Sequence, residues 1–445
     1  MSVSVGFISL GCSKNLVDSQ VMAGYLKSGK IALAASPETA DMILVNTCAF
    51  IEAAREETAE AILSACEHKK NGGCRAVIVT GCMVQRYRED MLEAFPDVDA
   101  FLGVDELDKV AAVVRKLAAG KSVGLKIGKG LPVRVFTPKY PTLLFTGGSF
   151  AYVKIADGCN HRCAYCAIPD IRGKFRSRGI DEIVAEAAHM VSAGVRELNL
   201  ISQDTLHYGM DFDGVPSITE LIRRIDVLEG KFRFRLLYGH PAGVTEEILE
   251  EMNKSRHLCR YLDLPVQHSH PDILRAMNRG KAVAVTEGLA ARLRQVVPGV
   301  VLRTTCIVGF PGESDEHFNH LLEYVSESKF DHLGVFAFSP EEGTPAFEMD
   351  GMPDADVIED RCERLMEMQR TIVEAKTRLL AGQADEALLL QKDADGNWIG
   401  RLPRQAPEAD GETFVTGVTA GAGKGDFIEV VITGGKGYDL TAKAV

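Results

Sequence analysis

Four short runs of consecutive apolar residues, at 3–10, 42–46, 76–80 and 100–102, alternate with stretches near 17–27, 53–68, 85–94 and 106–118 whose apolar positions recur every three or four residues. Unbroken apolar runs predict strands covered on both faces, and the intervening period predicts amphipathic helices; together they give an open parallel α/β sheet. From 120 to 148 the pattern lapses into Gly, Pro, Thr and Lys, as expected of a linker with room for one edge strand. A second alternating series opens at Phe150, with strands expected at 150–155, 197–201, 233–237, 261–266, 301–308 and 333–338, and it ends in a long helical pattern over 355–380. Six βα units predict a partial (βα)6 barrel, with functional groups at the carboxyl ends of its strands. Beyond residue 387 the runs shorten and alternate, at 387–391, 413–418 and 427–433, between Asp-Gly pairs and single glycines. That is the pattern of a small antiparallel β-barrel. The expected chain is therefore an α/β protein in three units, 1–130, 149–380 and 381–445, with a linker at 131–148.

Composition narrows the class. With 46% apolar and 25% charged residues the chain is that of a globular protein, neither disordered nor fibrous. A net charge of −12 opposes broad binding to bare phosphate and leaves room for a basic partner. No run approaches the roughly 18 apolar residues of a membrane span. The segment Ser9-Leu10-Gly11-Cys12 has the look of a lipid-attachment box, but no basic residue and no long apolar stretch precede it, so a cytoplasmic protein is expected. Eleven cysteines, an odd number, do not suit a disulfide framework there.

Their placement points to metal. Cys159, Cys163 and Cys166 fall within eight residues directly after the first strand of the second series. Three soft thiolates in one loop suit an iron–sulfur cluster, zinc or copper, and the alternative is a zinc knuckle completed by His161 or a distant residue. Cys12, Cys48 and Cys82 are 34 to 36 residues apart, yet each ends an apolar strand and precedes a helix. In a parallel sheet the carboxyl ends of the strands share one edge, so these three can converge; Gly11, Thr47 and Gly81 beside them leave space. The alternative is three buried thiols. Burial is the better reading for Cys66, Cys74, Cys259, Cys306 and Cys362.

Other polar groups sit at expected strand ends. Gly309 and Gly312, followed by Glu313, permit close approach of a ligand or simply make a turn. Ser202, Gln203, Asp204 and Thr205, and likewise Gln267 and His268, either line a site or cap helices. Arg172, Lys174, Arg176 and Arg178 form a basic loop fit for a carboxylate-bearing ligand, for solvent, or for the chain's own acids. His207, His240, His268 and His270 are assigned no role.

The Cys159, Cys163 and Cys166 spacing resembles the signature of radical S-adenosylmethionine enzymes. With the three strand-end cysteines, the barrel and the terminal β module, the whole chain is similar to the methylthiotransferase family, whose terminal module is a TRAM domain. Leu10-Gly11-Cys12-Ser13-Lys14-Asn15-Leu16-Val17-Asp18-Ser19 resembles the branch that modifies a ribosomal protein, as do Ile168-Pro169, Arg172-Gly173, Ser177-Arg178 and the run from Gly400-Arg401 to Ala406-Pro407-Glu408-Ala409-Asp410-Gly411. Arg404-Gln405 departs from that pattern. The resemblance implies methylthiolation of the β-carbon of an aspartate in the twelfth small-subunit ribosomal protein. It implies two [4Fe–4S] clusters, one on Cys159, Cys163 and Cys166 that binds S-adenosylmethionine, and an auxiliary one on Cys12, Cys48 and Cys82 that carries the sulfur. Tyr165 is then expected against the adenine, with Gln203 and Gly309 lining the remainder, and a sulfur donor and an electron donor are required.

Two other functions compete. One is methylthiolation of an adenosine in tRNA, which the terminal module disfavours, since residues 383–445 hold ten acids against six Lys and Arg. The other is a non-catalytic iron–sulfur redox sensor, which would bind clusters without cleaving S-adenosylmethionine.

Overall fold

The computed structural model describes residues 3–128, 130–135, 143–214 and 217–445. Residues 136–142 of the expected linker lie outside the described residues. The first unit is a six-stranded sheet in the order Ala32–Leu33, Ser4–Ser9, Met42–Thr47, Ala76–Gly81, Ala100–Leu102 and Gly124–Lys126. Every pairing in it is parallel. Met42–Thr47 and Ala76–Gly81 are buried on both faces, as their unbroken apolar runs require. The edge strand anticipated in the linker is Gly124–Lys126, and Ala32–Leu33 is too short to leave a run in the sequence. The helix expected at 85–94 is two pieces, Cys82–Tyr87 and Asp90–Ala94, broken where Arg88 takes a left-handed φ of +45°.

The second sheet follows chain order: Phe150–Lys154, Glu197–Ile201, Arg233–Leu236, Leu258–Asp263, Val301–Val308 and His332–Ala337, all parallel. Its first and last strands do not pair, so the barrel is open. The fourth strand starts and ends three residues before the expected 261–266. Pro265 has no N–H to donate to the ladder, so the run ends at Asp263 although Leu264 and Val266 remain buried. Cys259 consequently lies within a strand. The terminal unit, Ala384–Lys392, Trp398–Arg401, Thr413–Thr416, Phe427–Lys436 and Asp439–Ala444, closes into a barrel. Four of its pairings are antiparallel, and Thr413–Thr416 pairs parallel with Asp439–Ala444.

The first two units share a core. Helix Ser13–Ser28 is buried on nearly all sides because it lies between its own sheet and the open barrel. Val5, Val17, Met22 and Leu44 of the first unit join one apolar cluster with Tyr152, Ile201 and Tyr261 of the barrel. Burial of this size fixes the two units against each other and presents the cysteine-bearing sheet edge to the barrel's carboxyl end.

Candidate metal and substrate site

Sheet order places the first three cysteines together. The chain leaves Ser4–Ser9 for Ala32–Leu33 on one side and returns to Met42–Thr47 on the other, so the switch point falls between the strands that precede Cys12 and Cys48. A Cβ on Gly11, which has φ +83°, would stand 2.8 Å from the Cys48 Sγ. One on Gly81, at φ +99°, would strike the Asn46 side chain at 2.4 Å and the Thr47 carbonyl at 2.6 Å. Both positions therefore demand glycine on two counts. Asn15 ties the loops together: its Nδ2 donates to the carbonyls of Leu10 (3.0 Å) and Thr47 (2.7 Å), while its Oδ1 lies 3.7 Å from the Cys82 Sγ. Asn46 donates back to the Asn15 carbonyl at 2.8 Å.

Arg172 joins this edge to the barrel. It is 2% exposed and reaches from the end of helix Ile168–Arg172, just past Cys166, into the first unit. It donates to Asn15 Oδ1 at 2.6 Å, to Asp18 at 2.7 Å and to Asp157 at 3.3 Å, and it stands 3.3 Å from the Cys82 Sγ. Lys154 completes the network with Asp18 and, at 3.0 Å, with Asp157. The two cations hold the Asp157 carboxyl well below its ordinary range in spite of burial. Arg178 is likewise buried and pairs with Glu186 at 2.7 Å. Of the alternatives for the basic loop, Arg172 and Arg178 thus take the chain's own acids and face no free ligand. Lys174 is exposed, and Arg176 donates to the Arg172 carbonyl at 3.0 Å.

The second cysteine loop follows the first barrel strand. Burial pushes the Cys159 and Cys166 thiols up to about 12 and does the same to Cys82, where the Arg172 guanidinium pulls the other way. Cys48 is also raised by burial, with a push from Cys12. Such thiols give up their protons when a metal replaces the lost charge. Arg279, 7% exposed, approaches Cys163 Sγ at 3.7 Å and the Tyr165 hydroxyl at 3.4 Å, and anchors itself on the Pro265 carbonyl at 2.8 Å.

Donor chemistry bears on the kind of metal group these residues suit. Ligands of one tetrahedral ion sit about 4 Å apart, given metal–sulfur bonds near 2.3 Å. Among the described residues only His270, Asp272 and His317 bring three ligand atoms within 4.8 Å of one another; neither cysteine set does. Three soft thiolates in each set suit an iron–sulfur cluster. His161 is not free to complete a zinc knuckle, because its Nε2 meets Asp204 Oδ2 at 2.7 Å and its ring stacks on His240 at 4.2 Å.

The other expected residues divide. Tyr165 is half-buried beside Phe310, Phe338 and Met277, close to the cysteine loop. Gln203 donates to Asp157 at 3.0 Å, and its buried Oε1 has no partner. Gly309, at φ +78°, leaves room for Ile358 of the long helix Ala355–Leu380, which a Cβ would strike at 2.5 Å. The missing Cβ there serves packing within the chain. Asp204 caps His240 through a 3.1 Å bond from the His240 N–H, and burial lowers that ring to about 3. His207 packs edge-on to Phe175, and His268 is buried near Glu313. Sequence reasoning passed over Lys14, Asn15, Asp157, Tyr238 and Arg279. Lys14 and Asn15 stand in the run beside Cys12, but nothing in the sequence told which of them faces inward.

Comparison with known proteins agrees with this architecture. Residues 4–103 match the family described as Uncharacterized protein family UPF0004, 153–325 match the Radical SAM superfamily, and 382–445 match the TRAM domain. The solved radical S-adenosylmethionine methyltransferase TsrM from Kitasatospora setae shares the fold, with a TM-score of 0.56 over 78% of this chain and 77% of that one at 14% identity. Among described relatives, the ribosomal protein uS12 methylthiotransferase RimO of Desulforamulus reducens is 42% identical over 98% of both chains. That of Pelotomaculum thermopropionicum is 41% identical over 100% of both. Identity sustained from end to end at this level means that the chain belongs to the RimO family of ribosomal protein uS12 methylthiotransferases.

Proposed function

We propose that this protein transfers a methylthio group to the β-carbon of an aspartate in ribosomal protein uS12, by radical S-adenosylmethionine chemistry on two [4Fe–4S] clusters. The observation that carries the reading is the meeting of the two cysteine-bearing loops: Cys82 and Ala49 of the first unit pack on Ala167 and Ile171 just past Cys166, and Arg172 of that second loop stands 3.3 Å from the Cys82 Sγ. Cys159, Cys163 and Cys166 would hold the cluster that binds S-adenosylmethionine, and Cys12, Cys48 and Cys82 the auxiliary one. When bound, the clusters would supply the electron that cleaves S-adenosylmethionine and the sulfur, and a second S-adenosylmethionine would supply the methyl group.

The chain's own residues hold the two sets at a fixed separation. Arg172 bonds to Asn15 and Asp18 on one side and to Asp157 on the other, so neither loop can withdraw without breaking buried ion pairs. Ala49 and Cys82 pack on Ala167 and Ile171, which excludes water between the loops. Tyr165 and Gln203 would line the S-adenosylmethionine pocket, with Gly309 at its margin. A basic ribosomal protein suits the negative terminal barrel, and action on a ribosomal protein supports a cytoplasmic enzyme that draws on an external sulfur donor and electron donor. Among the described residues no helix is long and apolar enough to cross a membrane.

The test is competition. Anaerobically reconstituted protein is given S-adenosylmethionine, dithionite, a sulfur source, uS12 and tRNA together. Mass spectrometry should find the methylthio group on uS12. Its appearance on tRNA alone, or deoxyadenosine formation with neither modified, would refute the assignment.

A further inference from the structure

Lys14 is 8% exposed and lies two residues past Cys12 at the start of helix Ser13–Ser28. Its ammonium sits 2.9 Å from the centroid of the Tyr238 ring. Among the described residues no carboxylate comes within ion-pair distance of it. Of the groups that favour its charge, the Cys12 thiol acts most strongly, and the two acids in electrostatic reach, Asp263 and Asp157, are engaged elsewhere. Asp157 takes Lys154, Arg172 and Gln203; Asp263 accepts the Tyr238 N–H at 2.9 Å and faces Arg303 at 3.8 Å. A ring face offsets part of the charge, but it leaves three N–H donors with no oxygen to meet. The residue is nearly buried, yet its nitrogen is not sealed from solvent, which leaves the donors open to an incoming anion.

The barrel spends backbone strain to keep this arrangement. Tyr238, a non-glycine residue, holds φ at +64°, and its hydroxyl meets that of Ser13 at 3.1 Å. The ring is thereby fixed under Lys14 from the barrel side, while Ser13 fixes the helix start from the other. Nothing in the packing of either unit needs an ammonium there, because an apolar side chain would fill the same space against the ring at lower cost.

We propose that Lys14, seated on Tyr238, is the site that receives the carboxylate of the target aspartate. This rests on the proposed methylthiolation of uS12. The carboxylate carbon of an aspartate is bonded directly to its β-carbon, so pinning the one places the other within a bond length, beside Cys12. The same contact disfavours asparagine, whose amide oxygen accepts a hydrogen bond but brings no charge to the ammonium.

The experiment compares reconstituted wild-type protein with Lys14→Met and Lys14→Arg, using uS12 that carries either Asp or Asn at the target position. Iron content reports loading, and equilibrium dialysis reports S-adenosylmethionine affinity. Wild type is expected to prefer Asp over Asn by at least about tenfold in kcat/KM. Lys14→Met should lower kcat/KM for the Asp substrate by a similar factor, mainly through KM, and bring the preference to within about twofold; Lys14→Arg should retain most of it. A wild-type preference below about twofold, a measurement that needs no variant, overturns the site. So does a preference that survives in fully loaded Lys14→Met, or a loss of S-adenosylmethionine affinity that accounts for the whole defect. Wild-type protein that leaves uS12 unmodified overturns the functional reading itself, and the Lys14 site with it.

Discussion

The two ends of the barrel are built to different rules. At the amino end, residues 401–410 enter from the terminal unit and plug the opening with paired charge. Glu197 takes Arg233 at 2.8 Å and Arg401 at 3.1 Å; Asp410 takes Arg303 at 2.5 Å and the Tyr261 hydroxyl at 2.7 Å. Arg235 donates to the Gln405 and Pro403 carbonyls. The carboxyl end holds paired charge as well, around Arg172, between Glu313 and Arg361 at 2.7 Å, and between Glu341 and Arg86 at 2.8 Å. Inside it stand thiols held protonated by burial, a Gln203 oxygen without a partner and the unpaired Lys14. Buried polar atoms without partners occur at both ends, Arg235 Nε and Gln405 Nε2 among them, so it is the clustered thiols and the Lys14 cation that set the carboxyl end apart.

The largest expected effect tests that contrast directly. Cys159, Cys163 and Cys166 replaced together by Ala should leave about four of about eight irons and abolish S-adenosylmethionine cleavage. Replacing Cys12, Cys48 and Cys82 should also remove about half the iron, yet spare cleavage and lose methylthio transfer. Iron analysis, deoxyadenosine release and mass spectrometry separate the two. Equal behaviour of both variants in the cleavage assay would show that the ligand sets do not form independent sites.

Next comes the bridge between the units. Arg172→Met leaves Asp18 and Asp157 facing Lys154 alone, a broken buried network that should cost about 3–5 kcal/mol in urea unfolding. It should also loosen iron on the first unit, because the guanidinium beside Cys82 is gone. Glu197→Gln breaks the amino-end network at comparable cost and should leave iron content untouched. If both variants lost iron alike, the two ends would be one cooperative structure.

The barrel and the sheet were legible in the sequence because strands buried on both faces are written as unbroken apolar runs. The six cysteines were legible as candidates because each follows such a run. The networks around them were not. Arg172 reads as one member of a basic loop, and only the docking of helix Ser13–Ser28 against the barrel turns it inward to Asn15 and Asp18. Gly309 shows a demand of another kind: besides the ligand approach that a glycine at a strand end suggests, its missing Cβ leaves room for Ile358, which is distant in sequence. Arg404-Gln405, the departure from the family pattern, acts through the Arg404 carbonyl, which takes His332 at 3.0 Å, and through the Gln405 side chain, which binds the Leu402 N–H and the Thr413 hydroxyl. A change of side chain at Arg404 leaves the carbonyl contact in place.

A pH titration sharpens the amino end. Glu197 is held at about 2 by its three arginines, against an ordinary value of 4.5. Its folded pKa is depressed, so its contribution is full above about 4.5 and is lost as pH falls toward 2. A shift of this size corresponds to about 3 kcal/mol. Wild-type stability should therefore fall through that window more steeply than that of Glu197→Gln, in urea melts at successive pH values. Parallel curves would mean that the arginines do not hold the carboxylate.

The smallest effect compares two cysteines of the first unit with nearly the same burial. Cys66 is 4% exposed and Cys82 is 8% exposed, and burial raises both thiols. Their neighbours differ. Cys66 sits on helix Glu52–Lys70 within an apolar cluster, and the charged groups it feels are Lys69, Lys70, Asp97 and Asp99. Cys82 feels Arg172, Cys12 and Cys48. Cys66→Ala should therefore cost about 1 kcal/mol for the small cavity, with iron content and methylthio transfer unchanged. Cys82→Ala should lose auxiliary iron and transfer while the fold persists by circular dichroism. Burial alone predicts the same outcome for both, so iron lost from Cys66→Ala, or kept in Cys82→Ala, would mean that the ligands were assigned to the wrong thiols.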